Sequence, residues 1–143
     1  MNSLEEIHHT VILKASVHTV WEKTATAEGI EQWFMPTYGF HAEEGEKFRL
    51  QTPFGTSPCE MLEVVEREKL SFAWDKEGWV VTFYLMALPG NQTKFTLVHS
   101  GWKEADEWTS ETDESTAIVR ERMNEGWKEI LGTLETIVEN EGQ

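Results

Sequence analysis

The stretch Thr93-Lys94-Phe95-Thr96-Leu97-Val98-His99-Ser100-Gly101 changes chemistry from one residue to the next. Lys94, Thr96 and Ser100 fall on one side, Phe95, Leu97 and His99 on the other. That period of two is what a strand shows when one of its faces is buried. The same alternation recurs upstream. Ser71 and Ala73 oppose Phe72 and Trp74, while Phe48 and Leu50, and then Trp79, Val81, Phe83 and Leu85, extend the apolar set. Turn chemistry separates these runs at Pro53-Phe54-Gly55, residues 66–69, Lys76-Glu77-Gly78 and Pro89-Gly90-Asn91. Five short strands in a meander over residues 45–101 are therefore predicted, with the aromatic face inward. Over residues 59–65 the alternation fails, and no face is assigned.

The flanking segments supply what must cover that face. In residues 5–14, Ile7, His9, Val11 and Leu13 alternate with His8, Thr10, Ile12 and Lys14, which predicts a first strand. Ser16 then offers a capping oxygen to a helix whose apolar face is Val17, Val20, Trp21 and Thr24. Gly29 is expected to interrupt it, and a second short helix over residues 30–34 is expected to end before Pro36. Residues 103–114 hold six acids and read as a solvated connection. From about residue 115 to 139, Met123, Trp127, Ile130, Leu131, Leu134, Ile137 and Val138 form one helical stripe with no proline. A stripe of that length needs a sheet face beneath it. The final Glu-Gly-Gln reads as a frayed tail. These elements predict an α+β layer pair in a single domain over residues 1–143: an incurved antiparallel sheet of about six to seven strands wrapped on a long C-terminal helix, with two short helices after strand one. Where a curved sheet and its helix diverge, a concave apolar pocket is expected.

Composition removes several functions. With 26 acidic against 12 basic residues the formal charge is -14, and no basic cluster or basic helix face interrupts it. Nucleic-acid binding rests on Lys and Arg neutralising phosphates, so that class is excluded, as is attraction to anionic membranes. No apolar run approaches the roughly 20 residues that span a bilayer, and the N-terminal MNSLEEIHH lacks the basic and apolar regions of a signal peptide. Membrane insertion is not expected. Cys59 is the only cysteine, which permits no internal disulfide and fits a reducing, cytoplasmic setting. A monomer or weak homodimer is expected.

Val20-Trp21, Trp33-Phe34, residues 45–48, the strand Thr93-Lys94-Phe95-Thr96-Leu97-Val98-His99-Ser100-Gly101, and Gly126-Trp127 followed by Leu131 and Leu134 together resemble the SRPBCC superfamily. That superfamily includes START-like lipid-binding domains and polyketide cyclases. Within it, the chain is similar to the C-terminal domain of heat-shock-protein-90 ATPase activators, and the likeness covers nearly its whole length. The resemblance implies a helix-grip fold of the START and pollen-allergen type, with a deep apolar cavity and no catalytic signature. Pro58-Cys59 stands where such relatives often carry a glycine, and the acidic segment is long. The activators work with an additional N-terminal domain, so the isolated chain is not expected to raise a chaperone's ATP turnover.

The candidate cavity set is Trp33, Phe48, Leu50, Phe72, Trp74, Phe83, Leu85, Phe95, Leu97, His99, Met123, Trp127, Ile130 and Leu131. The plainer alternative is that these aromatic and aliphatic side chains are simply core. His99 is the one catalytic candidate, since an inward imidazole can bond a ligand or move a proton near neutral pH; the plainer alternative is a satisfied core histidine. His8 and His9 point to opposite faces, and His18, His41 and Cys59 show no ligand spacing, so neither a metal nor another cofactor is expected. GxSxG, phosphate-loop and HExxH motifs are all missing from the sequence. Arg120 and Arg122 could meet an acidic ligand, although salt bridges with neighbouring Glu are the commoner use. The leading expectation is binding of a small apolar or amphipathic molecule. A cyclase- or hydrolase-like enzyme and a chaperone-associated interaction protein are the alternatives.

Overall fold

A computed structural model describes residues 6–52, 55–74, 79–102 and 116–141. The turns expected at Pro53-Phe54-Gly55 and Lys76-Glu77-Gly78 fall wholly or partly outside these residues, as do the acidic connection and the C-terminal tail. Seven antiparallel strands form one sheet: β1 (Ile7–Leu13), β2 (Thr37–Tyr38), β3 (Lys47–Thr52), β4 (Gly55–Val65), β5 (Lys69–Trp74), β6 (Trp79–Leu88) and β7 (Gln92–Ser100). Their spatial order is β1-β7-β6-β5-β4-β3-β2. The meander runs from β3 to β7, and β1 closes it by pairing with β7, Ile7 opposite His99 and Val11 opposite Phe95. Two short helices, α1 (Val17–Ala25) and α2 (Ala27–Ile30), follow β1, and the long α3 (Thr116–Glu141) ends the described chain. This is the α+β helix-grip arrangement.

The alternation in β7 and β5 translates directly into burial. Phe95, Leu97 and His99 are fully buried, as are Leu70, Phe72 and Trp74. The unassigned region in β4 has a definite cause. Met61 pairs with Phe72 but Glu63 pairs with Ser71, so Leu62 is an extra residue, a β-bulge. The bulge reverses the inward set: Met61 is buried, Leu62 and Glu63 are both exposed, and Val64 turns toward the core opposite Leu70. A strict period of two breaks there.

The second helix needs correction. It spans Ala27–Ile30 rather than residues 30–34, and Gly29 lies within it instead of ending the first. Helix α1 stops because Thr26 turns extended, with φ -121° and ψ 151°, and its side chain accepts a hydrogen bond from Gly29 N at 3.0 Å. Gly29 is required for another reason: a Cβ there would strike the Glu22 carbonyl oxygen and come within 2.6 Å of Lys23 Cα. At the start of α1, Ser16 caps as expected, accepting from Thr19 N at 3.2 Å.

Helix α3 lays Val119, Trp127, Leu131, Leu134 and Val138 against the sheet, all buried, with Met123, Ile130 and Ile137 half-buried along the stripe's edges. Spacings of three and four residues keep these positions on one face. Polar contacts set the register: Asn124 Oδ1 lies 2.9 Å from His9 Nε2, and Glu139 accepts from Lys14 N at 3.3 Å. No helix among the described residues is long and apolar enough to cross a membrane.

Candidate functional site

The inner sheet face and α3 meet around His99. Its strand position turns the imidazole inward, and four indoles surround it: Trp102 at 4.5 Å between ring centroids, Trp79 at 5.4 Å, Trp74 at 5.6 Å and Trp127 at 6.0 Å. Trp79 pairs directly across from Trp74, and Val81 pairs with His99. Beyond this group the interior continues as aromatic packing. Phe34 stacks on Trp127 at 5.1 Å and 13°, while Trp33 contacts Phe83 and Phe95. Trp33 is fixed by its own Nε1, which donates to the Lys23 carbonyl at 2.7 Å.

His99 and Trp127 are bonded to each other. Trp127 Nε1–H donates to His99 Nδ1 at 2.9 Å. An indole nitrogen only donates, so Nδ1 must be the unprotonated ring nitrogen and the neutral ring carries its hydrogen on Nε2. Burial lowers the His99 pKa from 6.5 to about 3, and the Arg120 charge pushes in the same direction. The imidazole is therefore neutral at physiological pH. With its lone pair occupied by Trp127, it presents a donor rather than a base. Nε2 has no partner among the described residues, and neither does the buried Nε1 of Trp74. Each unpaired buried donor costs about 1–3 kcal/mol.

The structure places every candidate cavity residue on the buried interface or its rim. Phe48, Leu50, Phe72, Trp74, Phe83, Leu85, Phe95, Leu97 and His99 lie on the inner sheet face, and Trp33, Trp127 and Leu131 are buried above it. Met123 and Ile130 are only half-buried. Rings fill much of the space expected to be a deep cavity. Three depressions among the described residues are lined by none of the candidate aromatics, and the one of about 360 Å³ lies on the outer face beside Lys69, Tyr84, Met86 and Lys94. No group of three His, Cys, Asp or Glu side chains able to hold a metal occurs among the described residues.

A family model described as activator of Hsp90 ATPase homolog 1-like protein matches residues 14–139. The chain belongs to this family. The match agrees with the resemblance read from the sequence, and it takes in α1, the meander and almost all of α3. No curated protein matches the chain. Among solved structures, protein BH1534 of Bacillus halodurans is 42% identical, with 96% of this chain and 99% of that one aligned at a TM-score of 0.88. Protein MLL2253 of Mesorhizobium loti is 21% identical over 95% of this chain and 98% of that one, with a TM-score of 0.79. The Aha1 dimer of Colwellia psychrerythraea is 17% identical over 95% and 97%, with a TM-score of 0.72. At these lower identities the likeness is one of fold.

In this activator-like domain three site side chains lie outside the candidate cavity set: Phe34, Trp79 and Trp102. The alternation already turns Trp79 inward, and the structure buries it on the inward register of β6. Trp102 had no such signal, because it follows the strand. Gly101 at φ 86° turns the chain back, and Trp102 Nε1 donates to the His99 carbonyl at 2.9 Å. Phe34 follows α2, so its place over Trp127 depends on a turn that periodicity does not report.

Proposed function

We propose that this domain binds a small apolar or amphipathic molecule between the inner sheet face and α3. The observation that carries the reading is a polar imidazole, His99, wholly buried at the centre of an otherwise aromatic interior. A pure packing role would be served better by an aliphatic residue, which leaves no polar atom to satisfy. Sites for small molecules combine apolar walls with a few placed polar groups. The half-buried Phe34, Met123 and Ile130 mark the rim of this interior. Membership in the activator-like family supports the reading, since the superfamily it resembles includes lipid-binding domains. A cytoplasmic setting suits the single cysteine, which is buried.

The enzyme alternative is not favoured, because the lone pair of His99 is held by Trp127. A chaperone contact has one observation on its side. On the outer sheet face Ile12, Tyr84 and Met86 are exposed beside Lys94 and Lys69, the surface such a contact would use.

Native mass spectrometry of freshly purified protein tests the binding reading. A discrete adduct above the 16.5 kDa chain, released on unfolding, is the expected result. Protein at the bare chain mass that also takes up neither a fatty acid nor an aromatic probe would count against it.

A further inference from the structure

Two unspent donors lie side by side in the interior. The rings of Trp74 and His99 are stacked at 26° with centroids 5.6 Å apart. Trp74 is 1% exposed and His99 0%. Among the described residues Trp74 Nε1–H meets no acceptor; neither does His99 Nε2, which carries the hydrogen because Nδ1 accepts from Trp127. Both positions offer hydrogen and no lone pair, so the group that completes them must be an acceptor.

We propose that Trp74 and His99 form a paired-donor subsite for the carbonyl oxygen of a neutral ligand, a ketone, ester or amide attached to an apolar body. This rests on the binding reading above and narrows its ligand class. A carbonyl has two lone pairs, one for each N–H. A carboxylate would also accept, and the Arg120 charge acts on His99, but an ion taken into an aromatic interior loses its hydration, and the rings around the pair carry no countercharge of their own. The indole and phenyl faces around the pair suit the ligand's apolar portion.

Acetophenone and ethylbenzene, which share a phenyl body and differ by the carbonyl, form the test, with benzoate as the charged comparison. The wild-type nitrogen–proton spectrum is followed during titration, with the Trp74 indole resonance assigned by its loss in Trp74→Phe. Acetophenone is expected to bind roughly tenfold more tightly than ethylbenzene, from two net hydrogen bonds of ordinary strength. It should also move the Trp74 indole proton downfield, where ethylbenzene does not. In Trp74→Phe the preference should fall severalfold, and benzoate should bind more weakly than acetophenone throughout. Equal binding of the two neutral probes, with the Trp74 resonance unmoved, overturns the subsite while the binding reading stands; a structural water holding both donors would give that result. A carbonyl preference that survives intact in folded Trp74→Phe also overturns it, and so does tighter binding of benzoate. Failure of every probe to bind removes both the subsite and the binding reading.

Discussion

His99 shows how one side chain couples environment to pH. Burial holds its pKa at about 3 in the folded protein, against 6.5 when exposed. Between those values the unfolded chain takes up a proton that the folded chain refuses. The contribution to stability is therefore complete above about pH 6.5 and declines as pH falls toward 3, with a slope approaching about 1.4 kcal/mol per pH unit. His99→Gln removes that titration and leaves the other groups in place. Urea unfolding of wild type and variant from about pH 7 to about pH 5 should show wild type losing stability faster. Parallel curves would mean that His99 protonates freely in the folded state. The inward direction of His99 was legible from the alternation of Lys94, Thr96 and Ser100 with Phe95 and Leu97. Its tautomer was not, since that depends on Trp127, 28 residues away.

At the scale of elements, packing decides what local sequence leaves open. Gly29 looks like a helix breaker from sequence, yet it sits inside α2 because α1 approaches too closely for any side chain. Gly29→Ala places a methyl group against the Glu22 carbonyl and Lys23 Cα, both backbone and unable to yield cheaply. We expect it to destabilise the domain by about 1–3 kcal/mol, the usual range for overpacking, although alanine is the better helix former. A denaturant midpoint equal to wild type would show that α1 and α2 separate easily. The same limit explains the other boundaries. The bulge at Leu62 shifts β4 by one residue, which no periodicity can carry across, and β2 is only two residues long. By contrast, β1, β5, β7 and the α3 stripe were legible because each keeps one face turned to the core for its full length, buried or half-buried at every position. Val119, an earlier turn of the same stripe, extends it toward the helix start.

For the whole molecule, seven strands and one long helix enclose an interior in which aromatic rings surround a single imidazole, while the surface is acidic overall. The outer sheet face is the competing location for an apolar ligand, with Met86 57% exposed beside a depression of about 360 Å³. Trp127 belongs only to the interior, where it stacks on Phe34 and bonds His99. A titration that separates the two faces bears most directly on binding between sheet and α3. Phenylnaphthylamine, a neutral probe whose emission rises in apolar surroundings, is titrated into wild type, Trp127→Phe and Met86→Ala, each checked for native folding by circular dichroism. The expected result is saturable binding to wild type, weakened roughly tenfold in Trp127→Phe through loss of ring contact and of the His99 bond, and unchanged in Met86→Ala. Absence of binding to wild type, or binding that Met86→Ala abolishes and Trp127→Phe leaves intact, would contradict a ligand site between the sheet and α3.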